Sequence, residues 1–546
     1  MELGPLAGTI ANDKYYWAER GETCWRDVAK RVVPTVMGAA PKESRNTAAL
    51  TEAMAQRQWM PGGRYCYATG RPFHQTQNCV LIRAHDSREG WAGLLHKSAM
   101  ALMTGAGVGV NYSPVREEGA IIKKTGGLAT GPIALMQMLN EAGRGIMQGG
   151  ARRSAIWAGL KWDHPDIFKF IKIKNWSPEV KALKAKDFSF PATLDHTNIS
   201  VCLNDEFFRA FYDKNHAKHA LANAVFWATV EQMLETGEPG FSIDVGTFAG
   251  EDLRNACTEV TSRDSDDICN LGSINMGRVK TLDEFKRLVE WATEFLLAGT
   301  LYSDVPYHDI AVIRDKNRRL GLGLMGIHEW LLQRGYRYGM VDELAEWMGY
   351  FENISDLTAE RLAEAWGISC PLGKRAIAPN GTIGIVAETT TGCEPIFCVA
   401  YKRRYLKSGS QWVHQYVVDP VAKRLIEQGV NPKAIEDAYS LAGDVERRIK
   451  FQADLQAYVD HGISSTINLP HWGSELNNSN LVQSFGQTLL KYLPKLRGVT
   501  VYPDGARGGQ PLTPVSYQTA IKHEGAELVE ETVNLCDITK GGSCGD

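Results

Sequence analysis

The sequence predicts an α/β fold, in which short apolar strands are interspersed with longer helices. Residues 77–83 and 198–203 have the apolar character of buried strands, and residues 206–212 and 220–235 have helical patterns. The chain has 546 residues, of which 44% are hydrophobic and 23% charged, as is ordinary for a globular enzyme. A single α/β barrel can reach this length, although about three or four domains would be the usual expectation.

Charge and hydropathy exclude several classes of function. The net charge of −3 implies no general attraction to nucleic acid or to membranes. No apolar run of about 18 residues predicts a transmembrane helix, and the first residues lack the pattern of a signal peptide. The eleven cysteines are therefore expected to be reduced, metal-binding or catalytic, in a cytoplasmic protein.

The first elements follow from local patterns. Residues 15–37 predict a helix, and a strand follows at 77–83. Asp86 and Ser87 begin the next helix, because an acceptor side chain favours a helix start. The glycine-rich segment 104–113 leaves that helix and enters a strand, and its glycines would let the backbone approach a ligand closely.

Two later segments bear on function. Residues 319–326 contain a formal G-x-G-x-x-G, which is the basis of a rival interpretation as a nicotinamide-dependent dehydrogenase. That fingerprint requires a preceding strand, and the charged residues 313–319 predict none, so close helix packing explains the glycines better. In residues 377–384, Pro, Gly and Thr between a strand and a helix can direct backbone N–H groups at an anion.

The later segments also predict local structure. Thr281 and Glu284 form a predicted capping box. Residues 412–460 predict mostly helix, and residues 496–507 predict a final strand and turn. No metal site is predicted, because His216 and His219 lack further ligands.

The most informative stretch runs from Asn255 to Asn275, NACTEVTSRDSDDICNLGSIN. Asn255, Cys257 and Glu259 stand at alternate positions, and in an extended segment such side chains point to the same side. An amide, a thiol and a carboxyl would then face one substrate together. Cys269 begins an apolar segment that predicts a strand, and the charged link 263–267 predicts a surface loop. Packing is the alternative role for a cysteine in so short a pattern.

This stretch resembles the finger loop of the ribonucleotide reductase large chain. In that family an N-x-C-x-E segment carries the radical cysteine, and a cysteine before N-L-G-S-I-N carries one half of a redox pair. A cysteine strand, an acid, a G-x-G turn and an arginine follow the family's order over residues 79–116. The resemblance covers about residues 55–510, so the sequence is identified as a member of the ribonucleotide reductase family of catalytic chains.

The resemblance implies a ten-stranded α/β barrel of the ribonucleotide reductase type with a central finger loop, preceded by a short helical N-terminal region. The implied domains are the helical region at 1–55, the barrel at 56–515 with the finger loop near 255–269, and a flexible C-terminal tail with redox cysteines at 516–546. The number of strands comes from the family, since no periodicity in the sequence shows it.

The implied reaction reduces ribonucleotides to 2′-deoxyribonucleotides for DNA synthesis, by a thiyl radical on Cys257. In the family, residues matching Glu259 and Asn255 take the 3′-hydroxyl proton and orient the ribose, and those matching Cys79 and Cys269 become a disulfide. The substrate-binding residues implied by the resemblance are Asn78, Gly107, Pro379, Asn380, Gly381, Thr382 and Ile383. Thr382 is the expected hydroxyl donor to the substrate's phosphate.

The family also binds a deoxynucleoside triphosphate or ATP at an allosteric site. The residues that match this effector site are Asp86, Arg116, Gln148, Gly149, Gly150 and Arg152. Cys536 and Cys544 match a tail dithiol that passes electrons from a thioredoxin or glutaredoxin-type protein, and the alternative is that they are ordinary cysteines of a disordered end. The choices between diphosphate and triphosphate substrate, and between monomer and homodimer, stay open.

The resemblance is greatest to the adenosylcobalamin-dependent, class II enzymes, so adenosylcobalamin is the implied cofactor. Segments 498–505 and 380–383 are typical of that class, although Pro503 stands where an arginine is more usual. Only Tyr502 stands where partner-dependent enzymes usually carry two adjacent tyrosines, so no radical-generating subunit is expected. The alternatives are a class I-like chain that receives its radical from a separate ferritin-like subunit, and an inactive nucleotide-binding homologue.

Overall fold

The computed structural model describes residues 2–41, 46–148, 152–187, 190–407, 411–506, 512–523 and 526–529. The chain forms two compact units. Of the described residues, those within Met1–Phe397 and Glu436–Gly509 form the larger unit, and those within Cys398–Ile435 and Gln510–Asp546 form the smaller unit. The predicted domain boundaries near residues 55 and 515 stay a prediction.

The N-terminal region is helical and ends in a short strand. Its elements are α1 Pro5–Lys14, α2 Trp25–Met37, α3 Thr47–Ala55, β1 Trp59–Pro61 and α4 Gly63–Ala68. The helix predicted over 15–37 begins only at Trp25, because the Asp27 carboxylate accepts from the Cys24 N–H at 3.2 Å and so caps the chain there. A short 3₁₀ turn at Ala18–Arg20 precedes it.

Strands and helices alternate through the first half of the barrel. The elements are β2 Cys79–Arg83, α5 Arg88–Thr104, β3 Gly107–Asn111, α6 Gly131–Gly145, β4 Met147–Gln148, β5 Arg152–Arg153, β6 Ile156–Lys161, α7 Ile167–Lys172, α8 Pro178–Lys186, β7 Thr197–Asn204, α9 Asp205–Tyr212, α10 His219–Thr236 and β8 Gly240–Asp244. The Ser87 hydroxyl caps α5 by accepting from the Gly90 N–H, which confirms the predicted helix start.

The second half follows a short hairpin. The elements are β9 Leu253–Arg254, β10 Thr261–Ser262, β11 Asp267–Asn275, α11 Leu282–Tyr302, α12 His308–Asn317, β12 Leu320–Met325, α13 Ile327–Gln333, α14 Asp342–Trp366, α15 Gly381–Ala387, β13 Ala400–Lys407, β14 Gln411–Val418, α16 Pro420–Glu427, α17 Val445–Gln456, β15 Thr466–Leu469, α18 Val482–Tyr492, β16 Gly498–Pro503, β17 Leu512–Pro514, α19 Tyr517–Lys522 and β18 Glu527–Val529. Thr281 caps α11 as predicted, by accepting from the Glu284 N–H.

Within the described chain, ten strands of the larger unit form one sheet. Strands β2, β3, β6, β7 and β8 are parallel neighbours in that order. β11 pairs antiparallel with β2, and β16 pairs antiparallel with β8. Parallel bridges Leu322–Arg375 and Ile377–Ile463 connect β12 towards β15, so the sheet closes into a barrel. The predicted ten-stranded α/β barrel is confirmed.

Apolar side chains pack on both sides of the barrel wall. The helices of the second half cover β11 and β12 with a cluster that includes Trp59, Phe295 and Trp330. The helices of the first half cover their strands with a second cluster around Phe207 and Phe226. The interior holds a small separate cluster of Cys79, Leu81, Leu253, Val260, Cys269, Leu271 and Ala378. The interior cluster, which contains both predicted redox cysteines, is therefore part of a packed core.

The smaller unit is an antiparallel sheet with strand order β17, β13, β14, β18 among the described residues. The helix predicted over 412–460 is wrong at its start, because those residues belong to β14 of this sheet. The backbone of Gln411–Val418 pairs antiparallel with β13 on one side and with β18 on the other, which makes it a strand of a sheet.

Gly321 and Gly323 of this segment lie on β12, so the expectation of close helix packing is wrong for these two glycines; Gly326 follows the strand and precedes α13. A side chain at Gly321 would meet the Asn270 carbonyl oxygen at 2.7 Å, and one at Gly323 would overlap the Ala376 carbonyl oxygen. These glycines let neighbouring strands of the barrel approach. Helix α12 precedes them, so the strand that a dinucleotide fingerprint requires before its first glycine is absent.

We expect Gly323→Ala to lower the free energy of unfolding by about 1–3 kcal/mol, because the added methyl group overlaps backbone that cannot move aside. Gly349→Ala is the matched control, since a methyl group there enters open space within α14 and should stabilise the helix by about 0.5–1 kcal/mol. Chemical denaturation measures both. Equal stability of the two variants would contradict this account of barrel closure.

Candidate active site

The segment between β8 and β11 enters the barrel as a hairpin. β9 pairs antiparallel with β10, and residues 255–260 form the tip. The tip turns: the Thr258 N–H donates to the Asn255 carbonyl at 3.1 Å, and Thr258 adopts a φ of 67°. The prediction that Asn255, Cys257 and Glu259 share one side of an extended segment is therefore wrong in its geometry, because a tight turn carries them.

Two glycines of β3 admit this hairpin into the barrel. A side chain at Gly109 would overlap the carbonyl oxygen of Arg254, and a Cβ at Gly107 would lie 2.9 Å from the Ala256 Cβ. The sequence predicted that these glycines let the backbone approach a ligand; the group that approaches Gly107 and Gly109 in the structure is the hairpin of the same chain. The part of Gly107 in substrate binding stays a prediction; its N–H donates to the Asn78 carbonyl at 2.8 Å.

One buried guanidinium ties together the two ends of the hairpin. Arg319, whose side chain is 1% exposed, donates to Glu251 before β9 at 2.8 Å and to Asp267 after β10 at 2.7 Å. Although burial acts to raise the pKa of Glu251, the charge of Arg319 holds it at about 2. The Thr261 hydroxyl donates to the second oxygen of Glu251 at 2.6 Å. The surface loop predicted over 263–267 is therefore wrong at Asp267, which is fully buried.

Glu259 is a buried carboxyl group at the tip. Burial raises its pKa to about 7, opposed by hydrogen bonding from its own backbone and from Asn255. Its Oε1 lies 4.0 Å from the Cys79 Sγ, and its Oε2 has no hydrogen-bond partner among the described residues. The Asn255 Oδ1 accepts from the Val260 N–H at 3.0 Å, which fixes the amide beside it. A group with these properties can accept a proton near neutral pH.

Cys79 and Cys269 lie opposite each other on neighbouring strands of the barrel wall. They are directly opposed in the antiparallel register of β2 and β11, and both are buried thiols. Opposed residues in such a ladder have α-carbons about 4.5–5.5 Å apart, within the range that a disulfide requires. Burial raises the pKa of the Cys79 thiol, and the nearby Glu259 carboxyl raises it further. The structure thus brings together two cysteines that are far apart in sequence.

Cys257 differs from its neighbours in its access to the outside. It is half-buried, as is Thr258, whereas Asn255, Ala256, Glu259 and Val260 are buried. The exposed Asn198 of β7 donates to the Ala256 carbonyl at 3.4 Å. The pKa of the Cys79 thiol is raised by burial first, then by Glu259 and Cys269, and also by Cys257. Cys257 is therefore partly accessible, whereas Cys79 and Cys269 are buried in the interior cluster.

The predicted substrate residues border this interior. Asn78 donates its N–H to the Cys269 carbonyl at 3.2 Å, and its buried Oδ1 has no partner in the described part of the chain. Asn380 has a φ of 50° and exchanges hydrogen bonds with the Ser273 hydroxyl of β11 at 3.0–3.2 Å. Pro379 and Gly381 are exposed, Thr382 is half-buried and Ile383 begins the buried face of α15. The residue before this loop, Ala378, belongs to the interior cluster.

The predicted effector residues lie together in part. The Arg116 Nε donates to the Asp86 carboxylate at 2.7 Å, and both side chains remain about one-third exposed. Gln148 and Arg152 are opposed in the short hairpin of β4 and β5. Gly149 and Gly150 lie outside the described residues, as do the tail cysteines Cys536 and Cys544.

The described residues contain neither a candidate metal site nor a candidate membrane span. No group of three or more His, Cys, Asp or Glu side chains there is arranged to hold a metal ion. None of the helices described has the length and apolar character needed to cross a membrane.

Sequence reasoning missed the residues that hold the hairpin. Arg319, Glu251 and Asp267 carry no motif, and charged residues next to a turn more often face solvent. One signal was available: Arg319 directly precedes the glycine-rich strand β12, and an arginine entering a buried strand needs carboxylate partners.

The chain is similar to a family of known enzymes. The family described as ribonucleotide reductase, barrel domain, matches residues 77–239, 252–363 and 374–490. A vitamin B12-dependent ribonucleoside-diphosphate reductase of Thermoplasma acidophilum is 26% identical, over 89% of this chain and 68% of the relative. One of Mycobacterium tuberculosis is 26% identical, over 84% and 72%. The large subunit of a Caenorhabditis elegans ribonucleoside-diphosphate reductase is 22% identical, over 76% and 66%.

We expect Arg319→Met to lower the free energy of unfolding by about 3–5 kcal/mol, because it leaves two buried carboxylates without their shared cation. Arg361→Met is the matched control: that arginine is 59% exposed and pairs with Glu290 on the surface, so its loss should cost about 1 kcal/mol or less. Denaturant titration compares the two. Similar losses in both variants would show that Arg319 does not hold the hairpin.

Proposed function

This chain belongs to the ribonucleotide reductase family, and we propose that it reduces ribonucleotides to 2′-deoxyribonucleotides by radical chemistry that starts on Cys257. One observation carries the proposal. The tip of a hairpin inside the barrel carries a half-buried thiol two residues before a carboxyl group of pKa about 7, and that carboxyl group lies 4.0 Å from one of two opposed, buried thiols. A radical centre, a proton acceptor and a two-electron donor are the groups that this reaction needs.

Adenosylcobalamin is the proposed source of the radical, since relatives from Thermoplasma and Mycobacterium are named as vitamin B12-dependent. When bound, adenosylcobalamin would supply a carbon-centred radical. The residues fit such a group, because Cys257 and Thr258 are accessible beside the exposed Asn198 while the other thiols are enclosed. Asn198, Cys257 and Thr258 are the residues we expect to face the cofactor.

The chain's own residues account for the rest of the reaction. The Cys257 thiyl radical takes the hydrogen atom from C3′ of the ribose and later returns it. Glu259 accepts the 3′-hydroxyl proton, and Asn255 orients the ribose hydroxyls. Cys79 and Cys269 give two electrons and two protons, so the products are a deoxyribonucleotide, one water molecule and a Cys79–Cys269 disulfide. The packed interior keeps other molecules away from the radical.

Binding roles are assigned by the same proposal. The loop 379–383 and Asn78 bind the nucleotide, with the Thr382 hydroxyl and backbone N–H groups on its phosphates; the orphaned buried oxygen of Asn78 supports this. Asp86, Arg116 and the β4–β5 hairpin bind a deoxynucleoside triphosphate or ATP that selects the substrate, supported by the half-exposed Arg116–Asp86 pair.

The partners of the enzyme are also proposed. A thioredoxin or glutaredoxin-type reductant regenerates the buried thiols through Cys536 and Cys544, because a protein of that size cannot reach an enclosed disulfide. The nine described cysteines are thiols, which supports a cytoplasmic location. The proposed assembly is a monomer or homodimer without a separate radical-generating subunit.

The test is to incubate the purified protein with adenosylcobalamin, dithiothreitol and a ribonucleotide labelled with tritium at C3′. Wild type should form deoxynucleotide without a second protein; a requirement for such a protein would favour the class I-like alternative. Cys257→Ser should neither form product nor release tritium, because an oxygen radical is harder to generate than a sulfur radical. Cys79→Ser should still release tritium but should not turn over repeatedly.

Cys370→Ser is the matched control for both variants. Cys370 is exposed and lies outside the barrel interior, so its variant should keep the wild-type rate. Normal turnover by Cys257→Ser would contradict the assignment of the radical cysteine.

The pH dependence should report Glu259. A general base is active only when deprotonated, so a carboxyl group with a pKa of about 7 loses function as the pH falls through about 7. We expect kcat/KM to decrease about tenfold per pH unit from about pH 6.5 downward. Initial rates across this range measure it. A profile that stays flat to about pH 5, near the ordinary glutamate pKa, would remove Glu259 from the base role.

A further inference from the structure

The short helix α15 follows the proposed phosphate-binding loop directly, and its far end is held by an unusual side chain. Glu388 ends the helix in the left-handed conformation, with a φ of 55°. Its Oε1 accepts from the backbone N–H of Gly4 at 2.8 Å, and its Oε2 accepts from the Arg57 Nη1 at 2.7 Å. One carboxylate thus joins the N-terminal segment, the region before β1 and the end of α15.

Two arginines complete this attachment. Arg57 is 1% exposed and also donates to the Val386 carbonyl at 3.3 Å. Arg278 donates to the Ala387 carbonyl at 3.3 Å and lies 3.7 Å from Glu388. The last carbonyl groups of a helix lack partners within it and carry partial negative charge, so cations there stabilise the helix end.

The N-terminal helix packs against the same element. α1 contacts α15, and Ile10 shares a buried apolar cluster with Ile383 and Val386. Leu3 and Leu6 pack on that cluster. A Cβ at Gly4 would lie 2.5 Å from the Glu388 Oε1, so the backbone of the segment approaches the carboxylate as closely as a glycine allows. The N-terminal segment 3–14 is therefore fastened to α15 by packing and by one hydrogen bond to a charged acceptor.

We infer that Glu388 is a positioning residue for the substrate's phosphates: it fastens the N-terminal segment 3–14, Arg57 and Arg278 to the end of α15 and so holds loop 379–383 in place. This inference rests on the proposed function, because that loop is the proposed phosphate site. Asn380 fixes the other end of the same element on Ser273 of β11, so α15 is held at both ends. Loosening one end should weaken phosphate binding and leave the radical chemistry at Cys257 intact.

The experiment compares wild type with Glu388→Gln, which keeps the size of the side chain and removes its charge. We expect the KM for cytidine diphosphate to rise about tenfold, equal to about 1.4 kcal/mol, with kcat within about twofold of wild type. Glu290→Gln is the matched control, since Glu290 pairs with an arginine on the surface and should leave both constants unchanged. Gly4→Ala is a second variant that displaces the same contact by steric overlap, and its KM should also rise.

Calorimetric titration separates this inference from the proposed reaction. Cytidine diphosphate should bind Glu388→Gln about tenfold more weakly than wild type, and cytidine, which lacks phosphates, should bind both equally. Equal losses for the two ligands, or no loss for either, would overturn the positioning role. If wild type binds the diphosphate but forms no deoxynucleotide, the proposed reaction fails while the comparison of affinities still decides the role of Glu388.

Discussion

The reactive hairpin is held in place by one buried ionic contact, that of Arg319 with Glu251 and Asp267. A hairpin of a few residues cannot be stable alone, and its tip must keep a thiol and a carboxyl group in fixed positions. Arg319 joins the chain before the hairpin to the chain after it, and its two partners are enclosed with it. The position of the hairpin tip, which carries Cys257 and Glu259, depends on that attachment.

Space for the hairpin is the second constraint. Gly107 and Gly109 of the barrel wall leave room for the hairpin, because a Cβ at Gly107 would meet the Ala256 Cβ and one at Gly109 would overlap the hairpin backbone. The same close packing removes water from Glu259, and that loss of solvation raises its pKa to about 7. Steric fit and acid–base chemistry therefore have one cause. Cys257 is half-buried at the tip, which contacts the exposed Asn198, and this is where the proposed radical source would have access.

The way the two halves of the barrel meet brings together the two cysteines proposed as the redox pair. Strands within each half run parallel, but β11 meets β2 antiparallel, and that register sets Cys269 opposite Cys79. The adjoining loop 379–383 begins one residue after Ala378, which packs with both cysteines. The proposed substrate site, the electron donors and the proton acceptor thus share a few strands. Glu388, the proposed positioning residue, connects the N-terminal segment to the helix that follows this loop.

Features that depend on neighbouring residues could be predicted from the amino-acid sequence. Ser87 and Thr281 begin helices as predicted, because capping involves side chains a turn apart, and the Asn255–Asn275 stretch identified the family because its motif is contiguous. Local patterns failed where distant contacts decide the outcome. The hairpin tip is a turn and not an extended segment, the glycines predicted to pack helices lie on strand β12, and Asp267, predicted in a surface loop, is buried. Only the tertiary structure could place Cys79 opposite Cys269 and Arg319 between its two carboxylates, because strand register and burial arise from contacts between segments that are far apart in sequence.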